Sequence, residues 1–233
     1  MRIAGSTPAR GRWWGFLPYA TLSAVHVGAL AVDAEPLASF TKLTLMPLLA
    51  LALLWAGRGT SWGTPFALLF AALAFSWLGD GAATFFPFAP TVPAMLLCFG
   101  AAHICYLVLF SRRLARRRLP RWSAVYALWW IGMLLLLGPA LLPAGGVGLL
   151  VGVAVYGLLL AATAATAARC TPAIALGGAL FLCSDTVLAF RLFTPDSMPG
   201  WTSPLVMVAY CLGQGLLVAG SAALLVHRPE VPR

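Results

Sequence analysis

Eight apolar stretches, each long enough to cross a bilayer, follow one another along this chain of 233 residues. A hydrocarbon core about 30 Å thick takes about 17–25 predominantly apolar residues in a helix. The runs Trp14–Val32, Phe40–Ala56, Trp62–Ala83, Val92–Phe110, Trp122–Leu142, Gly145–Ala168, Ala173–Phe193 and Pro204–Val226 are of that kind. Breakers fall between them at Pro36, Gly57-Arg58-Gly59, Pro87 with Pro90, Pro120, Pro143 and Pro199-Gly200. The weakest boundary separates the fifth run from the sixth, where only Pro139 to Gly146 intervenes, and a seven-span alternative would fuse or drop one run there. Inside lipid each backbone polar group must be satisfied within the protein, which favours helices for runs of this length. With 61% hydrophobic and only 9% charged residues, against about 25% charged in soluble domains, a water-soluble globule is excluded. The prediction is an all-α polytopic membrane helix bundle, a single integral domain over residues 1–233.

Charge sets the orientation. Arg2, Arg10 and Arg12 precede the first span, Arg58 follows the second, Arg112, Arg113, Arg116, Arg117, Arg118 and Arg121 follow the fourth, Arg169 follows the sixth, and Arg228 and Arg233 follow the eighth. The intervening loops carry Asp33, Glu35 and Asp196. Under the positive-inside rule this predicts eight spans with both termini cytoplasmic, whereas seven would leave arginines on both sides. The net charge of +9 therefore specifies topology and contacts anionic lipid, and nucleic acid is not an expected partner. The Arg-rich, Lys-poor composition suits a bacterial inner membrane. No small-residue cleavage site closely follows the first apolar run, so that run is expected to stay as a span. The five cysteines are odd in number and lack a CxxC pair, and buried free thiols are expected.

Polar side chains inside a membrane are costly unless they pair or work. Asp80, in FSWLGDGAATFF on the third span, and Asp185, in LFLCSDTVLAFRLF on the seventh, stand out. At 1.5 Å per residue each lies roughly 20–25 Å from the cytoplasmic end of its span, so the two can meet across the bundle. The segments resemble each other: a small residue (Gly79, Ser184) precedes each Asp, Phe follows at the fifth and eighth places, and Pro follows at the tenth. A four-plus-four parallel repeat would produce this. His103 and Tyr106 share a face of the fourth span, Gln214 lies mid-way along the eighth, and Tyr156 follows Gly148 and Gly152 at close-packing GxxxG spacing. Lys42 and Arg191 are the only basic residues on the acidic side, where they either snorkel or hold a phosphate. His26, with no carboxylate nearby in sequence, is expected to make a packing or interhelical contact.

Metal and acyl-transfer chemistry fit poorly. The three histidines, His26, His103 and His227, form no HxxxH pair, and no GxSxG elbow is present. No metal or other cofactor is predicted.

FSWLGDGAATFF, GAAHICYLVLF, AVYGLLLAATAATA, GALFLCSDTVLAFRLF and YCLGQGLLVAGSA, in that order, closely resemble the YhhN-like lysoplasmalogenase family from about Lys42 to Ala222. The resemblance implies an eight-span membrane enzyme that hydrolyses the vinyl-ether bond of lysoplasmalogens to a fatty aldehyde and a glycerophospho-base. It places Asp80 and Asp185 at the family's acidic positions and His103, Tyr106, Gln214 and Lys42 at other polar positions. The candidate catalytic residues are thus Asp80, Asp185 and His103. The candidate substrate-binding residues are Lys42, Tyr106, Tyr156, Ser184, Arg191 and Gln214, and the expected partners are a lysophospholipid substrate and membrane lipids. Two departures from the family pattern stand out: Leu43 after Lys42 where many relatives carry Pro, and Gly81-Ala82-Ala83 in place of a bulkier apolar run.

The chemistry fits the residues independently. Protonating the vinyl carbon gives an oxocarbenium ion, water captures it as a hemiacetal, and the hemiacetal collapses to aldehyde and alcohol. This requires an acid, a counter-charge and a base. Two carboxyl groups facing one another in a low-dielectric site share a proton, so one is acid and the other carboxylate. Asp185 is assigned as the acid and Asp80 as counter-ion or base. A small proton-coupled transporter and a non-catalytic lipid-binding protein are the alternatives from other classes.

Overall fold

The structure, a computed structural model, describes residues 9–226. The sequence-based expectations for Arg2, His227, Arg228 and Arg233, and for the side chain of Arg10, lie outside what it describes. Seven helices carry the fold: α1 (Leu17–Ala31), α2 (Glu35–Ala56), α3 (Thr64–Asp80), α4 (Thr91–Val108), α5 (Val125–Ala167), α6 (Pro172–Phe193) and α7 (Thr202–Val226). Among the described residues there is no strand.

Five segments are long and apolar enough to cross a membrane: Glu35–Ala56, Thr91–Arg113, Arg121–Ala167, Pro172–Phe193 and Thr202–Val226. Helix α3 is apolar but shorter, at 17 residues, and α1 has 15. At 43 residues α5 is about twice the length one crossing needs. It is two helical arms joined across Gly145 (φ −160°, ψ 17°) and Gly146 (φ 65°, ψ −163°). The sequence places this boundary between Pro139 and Gly146, and the break falls on the two glycines at the end of that stretch, with Pro139 and Pro143 inside the helix. The glycines make the break because Gly146 adopts a left-handed φ that a Cβ would penalise. Pro36 likewise does not break the chain: it occupies the first turn of α2, where a missing N–H leaves no bond unmade. Helix α2 consequently begins at Glu35 and not at Phe40.

Successive helices pack side by side from α1 to α7, and α7 returns against α1 and α2, closing a ring. Its tightest seam joins α6 to α7. A Cβ on Gly177 would stand 2.9 Å from the Leu217 nitrogen, and one on Gly213 would stand 2.9 Å from the Phe181 nitrogen. The two backbones therefore touch, as small-residue membrane interfaces allow. The pair expected to pack this way, Gly148 and Gly152, does not: a Cβ at Gly148 meets nothing within 4 Å, and one at Gly152 first meets Leu96 Cδ1 at 3.6 Å.

The loop arginines Arg58, Arg117 and Arg169 bond backbone carbonyls at or just beyond helix ends. Trp55 Nε1 donates to the Gly11 carbonyl at 3.0 Å, and the Arg58 guanidinium lies 3.0 Å from the Trp55 ring centroid. The backbone N–H groups of Arg116 and Arg117 donate to the Arg169 carbonyl, and Arg117 Nε donates to the Ala168 carbonyl at 2.9 Å. A cationic loop thus answers the free carbonyls ending α5. All five cysteines are free, but only Cys170 and Cys211 are buried, and Cys183 is exposed. The expectation that all five thiols are buried is corrected accordingly: Cys183 sits on the outward face of α6, where an apolar environment accepts a thiol.

Candidate functional site

Polar residues from six helices converge on the middle of the ring. Gln214 on α7 is the hub of one half. It is fully buried, its Oε1 accepts from the Tyr106 hydroxyl of α4 at 2.6 Å, and its Nε2 donates to Ser76 Oγ of α3 at 3.0 Å and to Tyr210 Oη at 3.4 Å. Tyr210 in turn donates to Asp80 Oδ2 at 2.7 Å. The chain of bonds satisfies both ends of the amide, which a polar network in an apolar interior requires. Lys42, half-buried on α2, lies within electrostatic reach of Asp80.

The second half is built on α4, α5 and α6. The Tyr156 hydroxyl donates to Asp185 Oδ2 through a short hydrogen bond, and His103 Nε2 lies 3.5 Å from the same hydroxyl. With Tyr156 donating to the carboxyl, His103 Nε2–H is placed to donate to the tyrosine oxygen, giving an order His103, Tyr156, Asp185. His103 is fully buried and its Nδ1 has no hydrogen-bond partner. The two carboxyl groups are close enough to interact electrostatically, yet each is held by its own tyrosine. Aromatic rings join the halves: Phe181 packs edge-on against Tyr210 at 5.4 Å and against His103 at 4.8 Å, and Phe99 packs against both Phe181 and Tyr210.

The small residues before each Asp now have a physical reason. A Cβ on Gly79 would lie 2.6 Å from the Phe99 ring, so glycine there lets the ring close over the turn carrying Asp80. Ser184 donates across the tight seam to the Val206 carbonyl at 2.9 Å, fixing α6 beside Asp185. Arg191 Nη1 donates to Thr202 Oγ1 at 2.5 Å, tying the end of α6 to the start of α7. Tyr156 thus bonds a carboxyl group directly, Lys42 lies near the other, and Tyr106 and Gln214 connect to Asp80 through Tyr210, while Ser184 and Arg191 spend these bonds on the α6–α7 corner.

A small cavity of about 60 Å³ opens at Asp185 and Tyr156, walled by Phe99, Met95 and Leu188. A larger groove of about 1040 Å³ runs between α4 and the second arm of α5, and Tyr156, Val92, Leu96, Leu192 and Phe193 line both. The model of the YhhN family matches residues 37–221. The chain belongs to the YhhN family. No curated protein and no solved structure matches it. The region matched to the YhhN family includes each polar residue of this convergence and excludes α1. His26 lies on that excluded helix, and its Nδ1 is 2.9 Å from Thr41 Oγ1 of α2, the interhelical bond expected of it.

Sequence reasoning overlooked Tyr210, Ser76, Phe99 and Phe181. The first two had a usable signal. Tyr210 is four residues before Gln214 and Ser76 four before Asp80, so each shares a helical face with a residue already singled out. The phenylalanines are indistinguishable in sequence from the other core aromatics.

Proposed function

We propose that this YhhN-family protein is a lysoplasmalogenase-like hydrolase that cleaves the vinyl-ether bond of 1-alkenyl lysophospholipids by acid/base catalysis between Asp80 and Asp185. The observation that carries this reading is the pair of carboxyl groups, each fixed by a tyrosine hydroxyl, with Asp185 lining a cavity. Asp185 lines the small cavity, so it supplies the proton to the vinyl carbon distal to the oxygen. Tyr156 donates to one carboxyl oxygen and leaves the other free to carry that proton. The oxocarbenium ion forms beside the Phe99 ring that walls the cavity, where an aromatic face is a favourable neighbour for a cation. Asp80, which accepts from Tyr210 and has Lys42 near it, supplies the counter-charge and accepts the proton of the attacking water. Lys42 also meets the substrate phosphate. His103 orients Tyr156 and does not touch substrate.

The same reading places eight spans in a bacterial inner membrane with both termini cytoplasmic, the two arms of α5 being the fifth and sixth, and with the third and seventh related by a four-plus-four repeat. The arginine-rich loops support that orientation. The test is turnover by purified protein of three lysophospholipids that share a headgroup and differ at the first carbon of the chain, as 1-alkenyl, 1-alkyl and 1-acyl. Fatty aldehyde from the alkenyl lipid alone is expected, because the alkyl ether gives no stabilised cation on protonation and the ester needs an activated nucleophile. Comparable cleavage of the ester contradicts the proposal, and Asp-dependent proton flux in sealed vesicles without lipid turnover favours the transporter.

A further inference from the structure

The groove between α4 and α5 is lined by glycine, whereas the α6–α7 seam uses glycine to bring helices together. Gly100 faces it from α4, and Gly145, Gly148 and Gly152 face it from α5. At Gly148 a Cβ would enter open space, and at Gly100 and Gly152 the nearest obstacles are single leucine methyls at 3.7 and 3.6 Å. These glycines do not let backbones approach, and their effect is to hollow the wall. The groove opens sideways: Leu97, Ile104, Val151 and Val155 on its rims are all exposed. Gly145 to Leu159 along α5 is 14 steps, or about 20 Å at 1.5 Å per residue. Its polar wall side chains are Thr91 and Tyr156, and Tyr156 also lines the small cavity at Asp185.

An apolar trough of this length, open to the bilayer and ending on a carboxyl–tyrosine pair, has the form required by a single hydrocarbon chain with a polar end. We infer that the α4–α5 groove seats the chain of a single-chain phospholipid that enters laterally from the membrane, with its polar end at Tyr156 and Asp185 and the chain running along α5 past Gly152 and Gly148. This rests on the lysolipid reading above for the identity of the ligand, and on the groove's continuity with the cavity for its place. A second apolar groove, about 520 Å³ between α1 and α7, contains Tyr19, Ser23 and Cys211 but reaches neither carboxyl group, and serves as the internal comparison.

Two experiments on the full chain test this. In the first, a 1-alkyl lysophospholipid with a diazirine near the chain end is photolysed with the protein in phosphatidylcholine vesicles, and adducts are mapped by mass spectrometry. The ether probe needs no turnover, so this arm is independent of the proposed activity. Adducts concentrated on 97–104 and 147–155, and competed away by unlabelled lysolipid, are expected. Adducts centred on the α1–α7 groove, or spread evenly over the bilayer-facing helices as bulk lipid would be, overturn the inference. In the second, Gly148→Leu and Gly152→Leu fill the groove without a backbone clash and with better helix propensity than glycine. The expected result is a fall of at least about tenfold in kcat/KM for a hexadecenyl lysolipid, with an octenyl lysolipid changed by less than about twofold in Gly148→Leu. Equal effects on both chains, or none, overturn it. A wild-type protein that cleaves neither lipid but labels in the groove refutes the activity and leaves the binding site standing.

Discussion

Asp80 and Asp185 are alike in chemistry and unlike in surroundings. Each accepts a hydrogen bond from one tyrosine in the interior of the ring. Behind Tyr210, however, stands a closed chain through Gln214 to Ser76 and Tyr106, all fully buried, whereas behind Tyr156 stands a single histidine, and in front of it a cavity leading to the groove. One carboxyl group is locked into a network and accompanied by a lysine. The other borders empty space. In the function proposed above, this difference divides one pair of identical residues into a counter-charge and a proton donor, and the division is made by neighbours on other helices.

The largest expected effect is at the carboxyl groups. Asp185→Asn and Asp80→Asn should each lower turnover of the alkenyl lipid by at least about 100-fold while the protein remains folded, since Asn keeps the size and the hydrogen-bond acceptor but cannot cycle a proton. The two should differ in kind: Asp80→Asn should also leave the Gln214 network intact, visible as an unchanged thermal transition in detergent. Near-normal activity of either variant would break the comparison.

Removing the tyrosine hydroxyls should matter less. Tyr156→Phe is expected to lower kcat about 10- to 100-fold with little change in stability, because the freed Asp185 oxygen faces a cavity that water can enter. Tyr210→Phe is expected to cost about 1–3 kcal/mol of stability as well, because it strips one donor from Asp80 and leaves Gln214 with one partner fewer in a sealed interior. Equal stability losses would show that the two halves are equally closed. The smallest effect belongs to His26→Ala, which should leave turnover unchanged within about twofold and lower stability by about 1 kcal/mol, the usual worth of one hydrogen bond such as that to Thr41.

Much of this site could be read from the sequence because the membrane makes polar residues conspicuous. Asp80, Asp185, His103, Tyr106, Tyr156 and Gln214 stand alone in apolar runs, and a polar group in lipid needs a reason to be there. Which group bonds to which was not legible. Tyr210 and Tyr156 reach the carboxyl groups from helices other than those carrying them, and nothing local in YCLGQ or AVYGL encodes that pairing. The glycines illustrate the same limit. GxxxG spacing at Gly148 and Gly152 is shared by seams and grooves alike, and the outcome depends on what stands opposite: the Leu96 methyl at a distance there, the α6 and α7 backbones at contact around Gly177 and Gly213. The two departures from the family pattern also proved to be neighbours, since a Cβ on Gly81 would lie 2.8 Å from Leu43 Cδ2. The Phe85 ring and Leu43 together fill the space that a side chain at position 81 would need. Proline was a poor guide to helix ends: Pro36 lies in the first turn of a helix, and within the Pro139–Gly146 stretch the glycines and not the prolines make the break.

The central claim is that a carboxyl proton is delivered to carbon at Asp185, and the most direct measurement is single-turnover cleavage of a 1-alkenyl lysophospholipid in heavy water with the aldehyde trapped at once. The account predicts one deuterium on the aldehyde's α-carbon, a slowed protonation step, and loss of both signals in Asp185→Asn. Aldehyde released promptly without that deuterium, or labelled at an undiminished rate by Asp185→Asn, would contradict it.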